Sequence, residues 1–175
     1  MFSDPQKNLE QFNLELGARV ADLGSGAGFY TVATAKIVGE KGRVYAVDTQ
    51  KDMLTKIKNN ATQARLLNIE AIWGNIEKLG GTRLADASVD AVLVCNILFQ
   101  LERKDDFPLG VKRILKVKGR VLVVDWKESF GNMGPHADHV VPETVARALF
   151  EKVGFTFERS IRAGEHHYGI ILRRV

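Results

Sequence analysis

The chain has 175 residues, of which 45% are hydrophobic and 26% charged, so we expect one globular domain spanning residues 1–175. Its single cysteine, Cys95, excludes an intramolecular disulfide and favours a reducing, cytoplasmic location. Residues 1–5 lack the features of a signal peptide, and the longest apolar run, residues 91–101, contains Asn96 and Gln100, so we expect no membrane span.

The formal net charge of +4 is compatible with an anionic partner such as RNA, because basic patches contact phosphates. Much of the excess lies where a helix dipole favours it, at the far end of a helical pattern that begins after Asp105 and Asp106. The cations at that end are Lys112, Arg113, Lys116 and Lys118. We therefore favour a solvated helix face over a nucleic-acid surface, without excluding the latter.

Apolar β-branched runs alternate with amphipathic stretches, which predicts one continuous α/β fold. An N-terminal helix within residues 1–16 is indicated by a cap at Asp4 followed by Pro5, with Leu9 and Phe12 on its apolar face. The predicted strands are Arg19–Leu23, Arg43–Asp48, Ile69–Trp73, Asp90–Cys95, Arg120–Trp126, Thr156–Ile161 and Tyr168–Arg173. The other predicted helices are Tyr30–Val38, Lys51–Leu67, Phe107–Lys116 and Pro142–Val153.

The connections between these strands predict how they pair. The first five strands are separated by crossovers that suit parallel pairing, and most of them are apolar enough to be covered on both faces. The last two strands are joined by too few residues for a crossover helix, so they must pair antiparallel. A mostly parallel sheet that ends in one antiparallel hairpin follows.

A glycine-rich turn follows the first strand, at the place where doubly wound folds bind nucleotides. Gly24, Gly26 and Gly28 allow a tight turn and are expected to bring backbone N–H groups close to a ligand. The dinucleotide fingerprint has a glycine where this chain has Phe29, which counts against NAD.

Two carboxylates accompany this turn. Asp22, at the tip of the first strand, would repel a pyrophosphate but suits the ammonium and sulfonium of a methionine-derived ligand. Asp48 ends the second strand, where a carboxylate can accept both hydroxyls of a ribose. The alternative is that Asp48 caps the helix beginning at Lys51. Its position after a glycine loop favours the ribose role.

Five segments together resemble the class I S-adenosylmethionine-dependent methyltransferases, especially small stand-alone enzymes that methylate metabolites. They are residues 21–28, 47–48, 74–79, 90–96 and 115–121. The resemblance implies a Rossmann-like, doubly wound seven-stranded sheet of order 3-2-1-4-5-7-6, with strand 7 antiparallel and helices on both faces. It also implies S-adenosylmethionine as cofactor and S-adenosylhomocysteine as product.

The resemblance further implies that Asn75 bonds the adenine amine and that Ile76 offers its backbone N–H to the ring. Family members usually have Asp where this chain has Asn75, whose carbonyl oxygen can still accept from the amine. Cys95 and Asn96 would border the methionine end, and Met53 could pack on the adenine or simply in the core. The predicted cofactor-binding set is Asp22, Gly24, Ser25, Gly26, Gly28, Asp48, Thr49, Met53, Asn75, Ile76, Cys95 and Asn96.

The acceptor is expected near the carboxyl ends of the parallel strands, where residues 127–141 form a possible active-site loop. The topology places all four histidines at this end of the sheet, and a histidine can deprotonate an acceptor. The predicted catalytic residues are His136, His139 and His167. Two alternatives are exposed histidines without a task, and a metal site formed by His136, His139 and Glu143, although we expect no metal.

Aromatic residues at the same end are candidates for acceptor binding. Tyr30, Phe99 and Phe130 are the predicted substrate-binding residues, and Leu98 and Trp126 could line the same pocket or belong to the core. The fourth strand is followed by Asn96-Ile97-Leu98-Phe99, which lacks the Pro-Pro of enzymes that methylate the amines of nucleic-acid bases. Cys95 lacks the neighbouring Pro of cytosine-C5 enzymes, and a single cysteine does not suit arsenic methylation.

The leading hypothesis is transfer of a methyl group from S-adenosylmethionine to a small molecule by in-line displacement, with the acceptor unidentified. Positioning and desolvation can supply much of the rate of such a displacement, so no obligatory catalytic motif is needed. The alternatives are a non-catalytic S-adenosylmethionine-binding partner protein, a methyltransferase that acts on RNA or protein, and an NAD-linked oxidoreductase. The sequence does not indicate an oligomeric state.

Overall fold

The computed structural model describes residues 3–175, so residues 1 and 2 of the predicted domain and N-terminal segment lie outside the described residues. The strands are β1 (Arg19–Leu23), β2 (Arg43–Asp48), β3 (Ile69–Trp73), β4 (Val89–Cys95), β5 (Leu115–Trp126), β6 (Phe155–Ile161) and β7 (His167–Arg174). The helices are α1 (Pro5–Phe12), α2 (Phe29–Val38), α3 (Lys51–Gln63), α4 (Phe107–Ile114) and α5 (Glu143–Glu151), with 3₁₀ turns at Leu98–Gln100 and Ala137–His139.

The seven strands form one sheet of order β3-β2-β1-β4-β5-β7-β6, in which β7 runs antiparallel to both β5 and β6. The predicted order and the antiparallel hairpin are therefore confirmed. Helices α4 and α5 pack on one face of the sheet, while α1 and α2 pack on the other. The carboxyl ends of β1, β2 and β4 meet at one edge because these strands are parallel neighbours.

Helix α1 begins as predicted. The Asp4 carboxylate accepts the backbone N–H groups of Gln6 and Lys7 at 3.0 and 3.3 Å, which satisfies donors that the first turn leaves unpaired. Leu9 and Phe12 are buried against the sheet side of the helix. The helix ends at Phe12, before residue 16, because Asn13 adopts a left-handed conformation with φ 55°.

The junction of α4 and β5 corrects the sequence prediction. The helix ends at Ile114 and the strand begins at Leu115, which pairs with Val89, so β4 also begins one residue earlier than predicted. Lys112 and Arg113 lie in the last helical turn, as predicted. Lys116 and Lys118 lie in the strand instead, where Lys116 Nζ binds Asp90 at 2.7 Å. Alternating apolar residues and the pairing with β4 outweigh the helical pattern at this point.

Two other predicted helices are longer than those observed. Helix α3 ends at Gln63 and not at Leu67, because Arg65 adopts φ 54°. Helix α5 covers Glu143–Glu151 within the predicted residues 142–153. In the part of the chain that the structure describes, no helix has the length and apolar character needed to cross a membrane.

Candidate functional site

Two adjoining cavities open at the carboxyl edge of the sheet. The first, the β2 cavity, has a volume of about 340 Å³ and is lined by Gly24, Gly26, Asp48, Thr49, Gln50, Gly74, Asn75, Ile76, Glu77, Ile97, Gln100 and Leu101. The second, the α1 cavity, has a volume of about 490 Å³ and is lined by Ser3, Pro5, Gly24, Ser25, Gly26, Ala27, Phe29, Tyr30, Cys95, Asn96 and Gln100. Gly24, Gly26 and Gln100 line both, so the glycine loop is a shared wall of the two cavities.

Four backbone N–H groups of the glycine loop donate hydrogen bonds to other groups of the protein. Those of Gly24 and Ser25 donate to Val47 O at 2.9 and 3.2 Å, and that of Gly28 donates to Ser25 O at 3.0 Å. The N–H of Gly26 donates to the Asp48 carboxylate at 2.8 Å. These four donors are therefore already satisfied by the protein. A pyrophosphate needs free donors of this kind, so the four bonds give no support to a dinucleotide at this loop.

Glycine is required in this loop for two physical reasons. Gly24, Gly26 and Gly28 have positive φ values of 71°, 52° and 85°, a region that residues with a β-carbon rarely adopt. A β-carbon on Gly28 would lie 2.6 Å from Ile57 Cγ1, which is a core position. Gly28 lines neither cavity, so its contribution is the close packing of α2 against α3 and not a direct ligand contact.

Asp48 lines the β2 cavity. Its Oδ2 accepts from Gly26 N and its Oδ1 accepts from Gln50 N, both at 2.8 Å. The residue before α3 is Gln50, so Asp48 is not the helix cap that the alternative prediction required. Each carboxylate oxygen can accept a further bond, which leaves capacity for hydroxyl groups in the cavity.

Asp22, predicted to suit the ammonium and sulfonium of the ligand, is buried and lines neither cavity. Its carboxylate accepts from Thr31 Oγ1 at 2.6 Å. Burial raises the pKa of Asp22 to about 6, the Thr31 hydroxyl opposes this, and the neighbouring Asp48 adds to it. An ionised Asp22 therefore costs free energy unless positive charge is brought near it.

Two residues that line the α1 cavity, Ser25 and Asn96, each have a buried side-chain atom without a hydrogen-bond partner among the described residues, Ser25 Oγ and Asn96 Oδ1. Asn96 follows β4 with φ 56°, and its backbone N–H donates to Val124 O at 2.8 Å. Leaving a buried polar atom unpaired costs about 1–3 kcal/mol. A donor and an acceptor held in this state suit a ligand that carries both a carboxylate and an ammonium.

Helix α1 covers the second cavity through a hydrogen-bonded group that the sequence did not indicate. Asn8 is buried, and its Nδ2 donates to the Tyr30 hydroxyl at 2.7 Å and to Ser3 Oγ at 2.8 Å. Tyr30 and Ser3 both line the cavity, as does Pro5. The N-terminal segment is thus part of the site wall. Asn8 lies four residues before Phe12 and therefore shares its apolar helix face, which was the signal in the sequence that could have revealed it.

Two buried or partly buried carboxylates hold the wall formed by residues 97–103. Asp125, at the end of β5, accepts the backbone N–H of Leu98 at 2.9 Å, and burial raises its pKa to about 6. Glu77 accepts the N–H groups of Glu102 and Arg103, each at 2.8 Å. These residues position Ile97, Gln100 and Leu101 against the cavity. The last three and Gln50 are lining residues that the sequence did not predict, whereas Gly74 and Glu77 belong to the segment 74–79 that the resemblance assigned to the adenine.

The predicted adenine contacts lie in the β2 cavity, but with a different hydrogen-bond arrangement. Asn75 Oδ1 already accepts the backbone N–H of Glu77 at 2.9 Å, so the side chain shapes its own turn. Ile76 lines the cavity and is buried, and Thr49 also lines it. Met53 on α3 lines neither cavity.

Cys95 lines the α1 cavity and also packs in the core. It is buried, and burial together with the neighbouring Asp22 raises the pKa of its thiol well above the usual value. A thiol in this state stays protonated at neutral pH. Cys95 is therefore a poor nucleophile, in agreement with the interpretation as a small buried side chain.

The three predicted catalytic histidines do not share one environment. His136 and His139 are exposed on the loop of residues 127–141, and His136 Nδ1 lies 3.1 Å from Asp138. His167 is buried, and both its ring nitrogens lack a hydrogen-bond partner among the described residues. Burial lowers the pKa of His167 to about 4. None of the three lines either cavity.

The aromatic residues near this loop pack with histidines. His167 lies against Trp126 with ring centroids 4.2 Å apart, and Phe130 stacks on His166 with centroids 3.8 Å apart. His166 Nδ1 also lies 2.9 Å from Glu128. Of the predicted acceptor residues, Tyr30 lines the α1 cavity, whereas Phe99 and Phe130 line neither, and Leu98 is core.

The structure does not bring metal ligands together on residues 3–175. No group of three or more His, Cys, Asp or Glu side chains there is placed to hold a metal ion. Glu143, the third member of the alternative metal site, accepts from Ser160 Oγ at 2.8 Å.

Comparisons with known proteins bear on this site. The sequence model of the family described as "Methyltransferase domain" matches residues 14–157. A solved structure, a SAM dependent methyltransferase from Aquifex aeolicus, is 30% identical with a TM-score of 0.89, over 99% of this chain and 91% of that chain.

Two other similar proteins are longer than this chain. A probable cobalt-precorrin-6B C(15)-methyltransferase (decarboxylating) of Sulfurisphaera tokodaii is 31% identical over 133 residues, which are 76% of this chain and 59% of that protein. An arsenite methyltransferase of Halobacterium salinarum is 36% identical over 112 residues, which are 62% of this chain and 27% of that protein. The chain therefore spans less than two thirds of the length of these relatives.

Proposed function

Because the chain belongs to the class I S-adenosylmethionine-dependent methyltransferases, we propose that it transfers a methyl group from S-adenosylmethionine to a small-molecule acceptor. The single observation that carries the proposal is the pair of adjoining cavities at the carboxyl edge. One presents a carboxylate with spare acceptor capacity, and the other is lined by Ser25 and Asn96, each of which has an unpaired polar atom.

The β2 cavity suits the adenosine part of the cofactor. Asp48 would accept the ribose hydroxyls while it keeps its bonds to Gly26 and Gln50. Ile76 supplies apolar surface for the adenine, and the backbone of Asn75 and Ile76 supplies polar groups beside it. The side-chain oxygen of Asn75 holds Glu77 N, so we assign Asn75 mainly to the shape of this wall.

The α1 cavity suits the methionine part. Ser25 Oγ would donate to its carboxylate, and Asn96 Oδ1 would accept from its ammonium, which satisfies both unpaired atoms. Asp22 beneath the loop supplies negative charge close to the cationic end without touching it. Because its pKa is raised to about 6, a cationic ligand would favour its ionised form.

When bound, S-adenosylmethionine supplies a methyl group on a sulfonium, a good leaving group for in-line displacement, and S-adenosylhomocysteine is the product. The protein contributes orientation and exclusion of water. Tyr30, tied to Asn8, and the segment beginning at Ser3 form the wall that would exclude water from the methionine side. The 97–103 segment, held by Asp125 and Glu77, forms the facing wall.

A small acceptor is supported by the names of the similar proteins, which include methyltransferases of a cobalt-precorrin, of arsenite and of ubiquinone and menaquinone biosynthesis. None of these acceptors is assigned to this chain. Its single cysteine, which is buried and protonated, does not favour arsenite. The cytoplasmic location also remains a proposal, which rests on the lone cysteine.

We further propose that a histidine at the carboxyl edge binds or deprotonates the acceptor. His136, His139 and His167 are the candidates, and the lowered pKa makes His167 the weakest base at neutral pH unless the acceptor changes its surroundings. Alanine at all four histidines tests this proposal. Unchanged transfer to the identified acceptor would end it.

The experiment for the main proposal is transfer of labelled methyl from S-adenosylmethionine into a cell extract that contains metabolites, protein and RNA, with the heat-inactivated protein as control. We expect label in at least one small-molecule product. Label in protein or RNA would instead support the alternative acceptor classes. Cofactor binding without any labelled product would support the non-catalytic binding protein.

A further inference from the structure

Phe29 is 76% exposed, although it is the first residue of a helix whose next aromatic residue, Tyr30, is only 8% exposed. Single exposed hydrophobic residues are common on protein surfaces and need no explanation. Phe29 differs because it lines the α1 cavity, as do Pro5 and Ala27. An apolar ring is thus presented at the opening of the cavity assigned to the methionine end.

The charge around this opening restricts what can approach it. Among the described residues, no Lys, Arg, Asp or Glu lines the α1 cavity, and the adjoining β2 cavity has two carboxylates, those of Asp48 and Glu77. A phosphate or carboxylate group entering here would lose its hydration without meeting a cation. Anionic acceptors are therefore disfavoured by the surroundings of the site.

A group of basic residues lies away from these two cavities. Lys116, Lys118, Arg120 and Arg173 line a separate cavity, together with Glu15 and Asp90, at the amino ends of β4 and β5, which is the opposite edge of the sheet. This part of the net charge of +4 consequently does not attract polyanions to the α1 cavity.

We propose, as an inference that rests on the proposed function, that the acceptor is an uncharged, ring-bearing small molecule whose ring packs on Phe29 at the opening of the α1 cavity. The exposed ring of Phe29 offers a face for stacking, and stacked aromatic pairs contribute more than the area they bury. Pro5 adds a second apolar surface to the same opening. Phe29 is then a residue that determines specificity for the acceptor, separate from the residues that hold the cofactor.

Ligand-observed NMR on the full chain saturated with S-adenosylhomocysteine tests this inference. The probes are phenol and indole, which are uncharged, and phenyl phosphate, which has the same ring with an anionic group. We expect the two uncharged probes to bind and phenyl phosphate to bind at least severalfold more weakly. In Phe29→Ala the affinity for indole should fall about 3- to 10-fold, and Phe29→Trp should restore it.

Leu67→Ala is the matched control, because Leu67 is 95% exposed and lines neither cavity, and its indole affinity should equal that of the unchanged chain. Three results would overturn the inference: phenyl phosphate binding as well as phenol, unchanged indole binding in Phe29→Ala, or no binding of either uncharged probe. Calorimetry with S-adenosylhomocysteine alone tests the proposed function separately. If S-adenosylhomocysteine does not bind, the proposed function is contradicted and not the choice of acceptor.

Discussion

The Asp48 carboxylate accepts the backbone N–H of Gly26 at 2.8 Å, so the residue proposed to hold the ribose also holds the glycine loop. Its second oxygen accepts the N–H of Gln50 at the same distance, which ties the loop to the start of α3. The loop therefore has its shape before any ligand enters. Preorganisation of this kind lowers the entropy cost of binding.

Replacing Asp48 by Ala should weaken binding of S-adenosylmethionine about 10- to 100-fold, because hydrogen bonds to a charged group contribute about 1.5–3 kcal/mol and Gly26 also loses its partner. Isothermal titration calorimetry measures this. Asp52→Ala is the matched control, since Asp52 is an exposed carboxylate in the first turn of α3. Equal affinity of the Asp48 and Asp52 variants would show that the carboxylate at position 48 does not contact the ligand.

Asp22→Asn should stabilise the ligand-free protein at neutral pH. The folded pKa of Asp22 is about 6 against an ordinary value of 3.8, so its protonated form adds stability below pH 3.8 and this contribution is lost as the pH rises through 6. At pH 7.5 the Asn variant should be more stable by about 3 kcal/mol at most, and near pH 4 the two proteins should be equally stable. Urea unfolding at both pH values measures the difference. A stability gain that is the same at both would contradict the assignment.

The same substitution should discriminate between the two forms of the cofactor. S-adenosylmethionine has a sulfonium charge that S-adenosylhomocysteine lacks, so loss of the Asp22 charge should weaken binding of the first more than binding of the second. Calorimetric titration of Asp22→Asn with both compounds gives the ratio of the two affinities. A ratio identical to that of the unchanged chain would mean that Asp22 acts only through its bond to Thr31.

Much of the fold was predictable because it depends on local chemistry. The bounds of β1, β2 and β3 agree with the predicted ones, since each is an apolar run between turn-forming residues. The start of β5 was not predictable, because Leu115 and Lys116 continue the helical pattern locally, whereas in the structure Leu115 pairs with Val89 of β4. Tertiary contacts decided between the two conformations.

The site was predictable to a lesser extent. Residues next to the strand ends, such as Asp48, Ile76 and Asn96, lie at the cavities, since topology alone places them there. The direction of the glycine-loop N–H groups and the burial of Asp22 depend on three-dimensional packing, which the sequence pattern does not show. Ser3, Asn8 and Glu77 act through contacts with distant segments, which spacing along the chain does not reveal.

His167 should make stability depend on pH in the opposite sense to Asp22. Its folded pKa of about 4 lies below the ordinary 6.5, so the unfolded chain binds a proton more readily and stability is lost as the pH falls from 6.5 towards 4. His167→Phe keeps a ring against Trp126 and cannot titrate. Thermal unfolding of both proteins at pH 4.5 and 7.5 gives the difference in their stability. The unchanged chain should be less stable relative to the variant at pH 4.5 than at pH 7.5. An equal difference at the two pH values would contradict a buried neutral imidazole.

The hydrogen bond between Asn8 and Tyr30 should couple α1 to the site. Tyr30→Phe and Asn8→Ala should each destabilise the protein by about 1–3 kcal/mol, because each leaves a buried polar group with one partner fewer. The double variant should cost less than the sum of the single ones by about 1 kcal/mol. A double-mutant cycle from urea unfolding measures this coupling. Strictly additive effects would mean that the contact does not stabilise the fold.

The most direct measurement of the central claim is calorimetric titration of the full chain with S-adenosylmethionine and, separately, with NAD⁺. The adjoining cavities, the Asp48 carboxylate and the glycine loop whose N–H groups are already bonded predict saturable binding of S-adenosylmethionine and none of NAD⁺. Binding of NAD⁺ without binding of S-adenosylmethionine would contradict the account.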